Sequence, residues 1–214
     1  MINNFLTLIN GKYPLTEVNC GEFAKMKVKG MDFSITAYKA EGLGHISVMR
    51  AKGFFGLMKM DTLIVNPKEL ELPLYSYDRI YAMGNDTLIV ELYDTLSAPC
   101  DLSNLEDVKN QHTDLAERDP GAHWYDSIKL PSSISKKGKK AQTGRFDQLA
   151  TQHLLAYLAF NTPTSCVEEK ARKTLYYVDG LLTNGGPSTD VFKKSLGLEK
   201  TTLLFKNILF GISE

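Results

Sequence analysis

Six strands joined by connections too short to hold a helix fill residues 23–93, and nothing else in the sequence limits the fold as much. Apolar and polar residues alternate along Phe23–Lys29. They alternate again along Met31–Lys39, where Phe33, Ile35 and Ala37 share one side. A period of two buries one face of a strand and leaves the other polar. Gly30, between the two, suits a tight turn. His45–Lys52 follows Gly42 and Gly44, and Met58–Val65 follows Gly53 and Gly56. Tyr77–Met83 and Thr87–Tyr93 meet at Gly84-Asn85-Asp86, a hairpin signal. Without room for crossover helices, consecutive strands must be mostly antiparallel neighbours.

The pattern changes after Thr95. Ser97-Ala98-Pro99 breaks the strand, and Leu105–Glu117 has the polarity of a surface helix. Asp119-Pro120-Gly121 is a turn, and Ser132–Gly144 is a loop carrying Lys136, Lys137, Lys139 and Lys140. Arg145–Phe160 is amphipathic, with Phe146, Leu149, His153, Leu154 and Tyr157 on one side. Thr164–Leu182 is a second long helix with an approximate capping box, closed by Asn184-Gly185-Gly186-Pro187. Ser188–Leu196 and Glu199–Phe210 are shorter helices separated by Gly197. Strands first and helices after is the α+β order, and residues 1–214 form a single domain.

Lys+Arg and Asp+Glu are both 25, so the field of the whole chain is weak. That argues against general binding to nucleic acid or anionic membranes, though not against a local basic patch. Cys20, Cys100 and Cys166 are far apart and offer neither a zinc spacing nor a disulfide framework, which suits a reducing, cytoplasmic setting. The first residues lack the basic start of a signal peptide, and no apolar run approaches the ~18 residues that span a bilayer.

No phosphate loop, dinucleotide fingerprint or nucleophile elbow is present. The acids within strands say more, because aspartate is disfavoured there. Asp78 opens one strand and Asp61 sits inside another. A strand aspartate facing a pocket has a raised pKa and can hold a proton at neutral pH; one on the solvated face, or paired with Arg79 or Lys59, does nothing of the kind. His153 reads as a satisfied helix residue. His123, beside Trp124 and Tyr125, suits a pocket wall or a packed surface loop equally.

Three stretches together resemble the ferredoxin-dependent bilin reductases, the phycocyanobilin:ferredoxin oxidoreductase family. They are Asn66-Pro67-Lys68-Glu69-Leu70-Glu71-Leu72-Pro73-Leu74-Tyr75-Ser76-Tyr77-Asp78, then Val90-Glu91-Leu92-Tyr93-Asp94-Thr95-Leu96-Ser97, and the C-terminal run from Asn184 through Leu196-Gly197 to Ile208-Leu209-Phe210. The resemblance implies a three-layer α/β/α sandwich around the antiparallel sheet. It implies an oxidoreductase that reduces a linear tetrapyrrole such as biliverdin by alternating electrons and protons. Reduced ferredoxin or flavodoxin would supply the electrons, with no cofactor bound to the protein itself.

By the same resemblance Asp78 is the proton donor. Asp61 falls where several members have a histidine, Met49 where they have a second acid, and Asn184 at a position facing the pocket. Two aspartates facing one cavity would repel, keeping one protonated. Arg50, Lys52, Lys136, Lys139 and Arg145 are candidate cations for the substrate's propionates. The Lys136–Lys140 segment suits an acidic electron donor. The absent histidine and second acid keep an alternative open: a non-catalytic relative that binds a ligand or a protein.

Overall fold

The structure is a computed structural model and describes residues 1–186 and 188–212. Helix α1 (Ile2–Lys12) and strand β1 (Leu15–Val18) precede the meander, and neither is expected from the sequence reading. The meander comprises β2 (Lys25–Val28), β3 (Met31–Ala40), β4 (Gly44–Gly53), β5 (Met58–Pro67), β6 (Leu74–Ala82) and β7 (Asn85–Tyr93). Helix α2 (Ser103–Asn110) is shorter than the expected Leu105–Glu117. The lysine segment is not a loop: Ile134–Lys139 forms β8 and pairs with β7. Helices α3 (Thr143–Leu158), α4 (Val167–Asn184), α5 (Thr189–Leu196) and α6 (Leu198–Leu203) follow. A π-helical turn over Leu204–Leu209 closes the chain.

The eight strands among the described residues join one antiparallel sheet in the order β1-β3-β4-β5-β6-β7-β8, with β2 also on β3. The β6–β7 turn falls one residue earlier than its sequence signal. Met83 and Gly84 both take positive φ (50° and 74°), the geometry of a two-residue hairpin whose twist matches its strands. Asp86, part of the expected turn, is instead buried against Arg79 at 2.5 Å.

Alternation along the strands divides the core. On one face Ile46, Val48, Leu63, Val65, Tyr75, Tyr77, Leu88 and Val90 pack under α1, α2 and α3. On the other Ile35, Met49, Ala51, Ile64 and Tyr93 pack under α4, α5 and the C-terminal turn. The architecture is a three-layer α/β/α sandwich. His153 is fully buried on α3 with a ring nitrogen 3.2 Å from the Ser132 carbonyl, and burial takes its pKa down to about 4. No helix among the described residues is long and apolar enough to cross a membrane.

The C-terminal turn is held by the strands beneath it. His45 Nε2, Ser47 Oγ and Asn66 Nδ2 donate to the carbonyls of Ile208, Leu209 and Phe210 at 2.8, 2.7 and 2.7 Å. These carbonyls lie at a helix end, where regular partners run out.

A second clasp joins the segment before α4 to the β5–β6 connection. Thr164 does not cap the helix. Its hydroxyl donates to buried Glu71 at 3.0 Å, and Glu71 also accepts from the Ser97 and Ser165 backbones. Pro187, expected to help end α4, lies outside the described residues.

Candidate functional site

The second sheet face does not fill completely. A cleft remains between β4–β7 and the helical layer, closed on one side by Tyr177, Leu181, Phe205 and Phe210 and on another by the segment from Arg118 to Tyr125. The cavity measures about 210 Å³, and the empty space reaches about 990 Å³ when its open mouth is counted.

One rung of the sheet crosses its floor. Met49 pairs with Thr62, and Thr62 with Asp78. All three line the cleft. Asp78 is half-buried, and Thr62 Oγ1 donates to its Oδ1 at 2.5 Å. Burial pushes the Asp78 pKa up to about 6. The Thr62 bond opposes that rise and the charge of Glu91 adds to it. Such a group holds a proton over part of the neutral range, where an exposed aspartate holds almost none.

Glu91 is the acid that the sequence reading left without a role. It lines the cleft on β7, accepts from Tyr93 Oη at 2.6 Å and lies 3.9 Å from Lys129 Nζ. Its signal was present: a charged residue between Val90 and Leu92, both fully buried. Once the hairpin register is fixed, Glu91 stands opposite Ser76, two residues from Asp78 on the same face.

The walls are aromatic. Tyr93 stacks on Tyr177 at 4.1 Å between centroids, and Tyr125 meets Tyr93 edge-on at 5.5 Å. His123 stacks on Tyr125 at 4.8 Å and lines the cleft, which settles its two readings in favour of the pocket wall. Trp124 donates its indole N–H to the Gly185 carbonyl at 3.0 Å, tying this segment to the end of α4.

Other expected site residues lie elsewhere. Asp61 does not share the cavity with Asp78. Side chains alternate along β5, so Met60, Thr62 and Ile64 face the cleft while Asp61 points to the opposite layer. The strand neighbour of Asp78 is therefore Thr62, and the repulsion expected between two aspartates does not arise.

Arg50 and Lys52 share the far face with Asp61, and Arg50 donates to Asn3 on α1. Lys136 is buried, bonded to the Leu115 carbonyl at 2.9 Å and to Glu117 at 2.6 Å. Lys139 is exposed and donates to Asn85, and Arg145 pairs with Asp114 at 3.0 Å on the outside of α3. Asn184 is exposed at the last position of α4 and does not line the cleft, whereas nearby Gly186 does. The arginine that does line it is Arg118, which precedes the Asp119-Pro120-Gly121 turn.

No family model matches the chain, and neither does any curated protein. Solved structures do match. The fold is similar to that of phytochromobilin synthase from tomato. The likeness is to its crystal structure in complex with biliverdin, with a TM-score of 0.74 over 98% of this chain and 81% of that one. Sequence identity is 11%, so the likeness to tomato phytochromobilin synthase shows the fold and not the chemistry.

Proposed function

We propose that this protein binds a linear tetrapyrrole in the cleft and reduces it with single electrons from reduced ferredoxin or flavodoxin, Asp78 supplying a proton. The observation that carries the reading is Asp78 itself, a carboxyl with a pKa of about 6 on the floor of an aromatic cavity. The likeness to a synthase crystallised with biliverdin supports the same substrate class. The enclosed part of the cleft, about 210 Å³, is smaller than the 300–1,000 Å³ typical of ligand pockets, so a tetrapyrrole would extend out through the open mouth.

Reducing one double bond takes two electrons and two protons. Each electron raises the basicity of the conjugated ligand, and a proton delivered at once traps it. Asp78 delivers one proton and is recharged from solvent through the open mouth, which also supplies the second. Thr62 steadies the Asp78 carboxylate after transfer. The tyrosine walls stack on the planar ligand, and Arg118 is the cation best placed for a propionate.

A second reading, ligand binding without turnover, draws on the Met49–Thr62–Asp78 rung, which offers a single ionisable group. Titration with biliverdin followed by anaerobic addition of reduced ferredoxin separates the two. The enzyme reading expects a red-shifted complex that bleaches on reduction. Asp78→Asn should keep the complex and lose the bleaching, while Asp61→Asn should keep both. No spectral change with micromolar bilin refutes a bilin site. A complex that never bleaches leaves the binding-only reading, and Asp78→Asn turnover at the parent rate removes Asp78 as donor.

A further inference from the structure

Three hairpin tips emerge side by side at one end of the sheet: Lys29-Gly30, Phe54–Leu57 and Met83-Gly84. The register fixes their surroundings. The outermost rung runs Gly53–Met58–Ala82–Asn85–Lys139, and the one behind it Asp32–Lys52–Lys59–Tyr81–Asp86–Gly138.

Large apolar side chains project from two of these tips. Phe55 is 110% exposed, Met83 91%, Leu57 70% and Phe54 64%. Phe54, Phe55 and Met83 also hold left-handed backbone, with φ of 51°, 54° and 50°. Bulky residues rarely adopt that conformation, and strain of this kind concentrates at functional positions. Lys29, Lys52, Lys59, Lys139 and Lys140 surround the tips, all exposed. Of the nearby carboxylates, Asp86 is buried against Arg79, and exposed Asp32 lies 3.9 Å from the equally exposed Lys27.

Two properties select the occupant. The apolar side chains stand on protruding tips, a shape that inserts into a soft interface. The cations are all lysine, which protein–protein interfaces deplete while favouring arginine. An anionic lipid surface attracts each lysine nearby, and phenylalanine and leucine enter the boundary between headgroups and acyl chains. Because the chain as a whole carries no net charge, this local field also orients the molecule.

We propose that this end of the sheet docks on an anionic phospholipid bilayer, with Phe54, Phe55, Leu57 and Met83 entering the interface and the lysines meeting headgroup phosphates. The assignment is independent of the tetrapyrrole reading. The full chain, sedimented with phosphatidylcholine vesicles containing phosphatidylglycerol, should pellet with them. It should stay in solution with phosphatidylcholine alone, and high salt should release it.

Lys52→Gln with Lys59→Gln should weaken partitioning roughly twenty-fivefold, taking each lysine near a membrane as worth about fivefold. Phe54→Gly with Phe55→Gly removes the rings while suiting the left-handed backbone, so this variant folds and should lose binding. Indifference to phosphatidylglycerol, or full binding by the glycine variant, overturns the proposal. So does an acidic ferredoxin occupying these tips while vesicles leave the protein free.

Discussion

Replacing Asp78 by asparagine tests the electrostatics of the cleft with no ligand present. The carboxyl is pushed from its ordinary 3.8 to about 6, first by burial and then by the charge of Glu91, with the Thr62 bond pulling the other way. At 1.36 kcal/mol for each pKa unit, ionising Asp78 in the folded protein costs roughly 3 kcal/mol more than in the unfolded chain. The sign follows from the proton count. Between pH 3.8 and about 6 the folded state keeps a proton that the unfolded state has released. Stability from this group is therefore full below the unfolded pKa and lost as pH rises through the folded one.

Asparagine is nearly isosteric, can still accept from Thr62 and cannot ionise. Urea unfolding of parent and variant across a pH series measures the difference, and titrating groups that do not interact with Asp78 cancel, which leaves only its coupling to Glu91 beside its own ionisation. The variant should gain on the parent by roughly 3 kcal/mol between about pH 3 and about pH 8. A difference flat to within about 0.5 kcal/mol would show that Asp78 ionises like an exposed acid, and the proton-donor argument would fail with it.

Two further outcomes check the contacts that hold α4 in place. A Cβ built on Gly180 would overlap the Trp124 ring, so Gly180→Ala should cost roughly 1–3 kcal/mol and shift tryptophan emission, since Trp124 is the single tryptophan; unchanged emission refutes the contact. Burial alone would raise the Glu71 pKa, but hydrogen bonds from Ser97, Ser165 and Thr164 outweigh it and hold the group at about 2. Glu71→Ala should therefore destabilise by about 1–3 kcal/mol near neutral pH through the donors left unsatisfied. That penalty should shrink as pH falls from about 4.5 toward 2, and urea unfolding at two pH values measures it.

Where burial is one-sided, the sequence was readable. Phe33, Ile35 and Ala37 all reach the second core, as alternation requires. The face of Asp61 was not readable, because Leu63-Ile64-Val65 is buried on both sides and the period of two fades where the strand enters the sandwich. Strand β8 was hidden for another reason. Ile-Ser-Lys-Lys-Gly-Lys offers little apolar alternation, and lysine suits an edge strand that must not recruit another. Helix α1 carries Ile2, Phe5 and Ile9 at helical spacing, but over a stretch too short to separate from other apolar runs. The cations failed through the same alternation, which carries Arg50 and Lys52 to the far face. Arg118 sits beyond the end of a helix that the sequence reading drew too long.

The three carbonyls gripped by His45, Ser47 and Asn66 make the rim of the cleft mechanically unequal. Phe205, Leu209 and Phe210 line the cleft and belong to the same segment, so lifting them breaks buried hydrogen bonds worth about 1 kcal/mol each. The facing segment is fastened to α4 by the Trp124 indole, through one hydrogen bond to Gly185. Side-chain hydrogen bonds to backbone hold the C-terminal rim at three points and the Trp124 side at one, so a ligand that widens the cleft should displace the Trp124 side first.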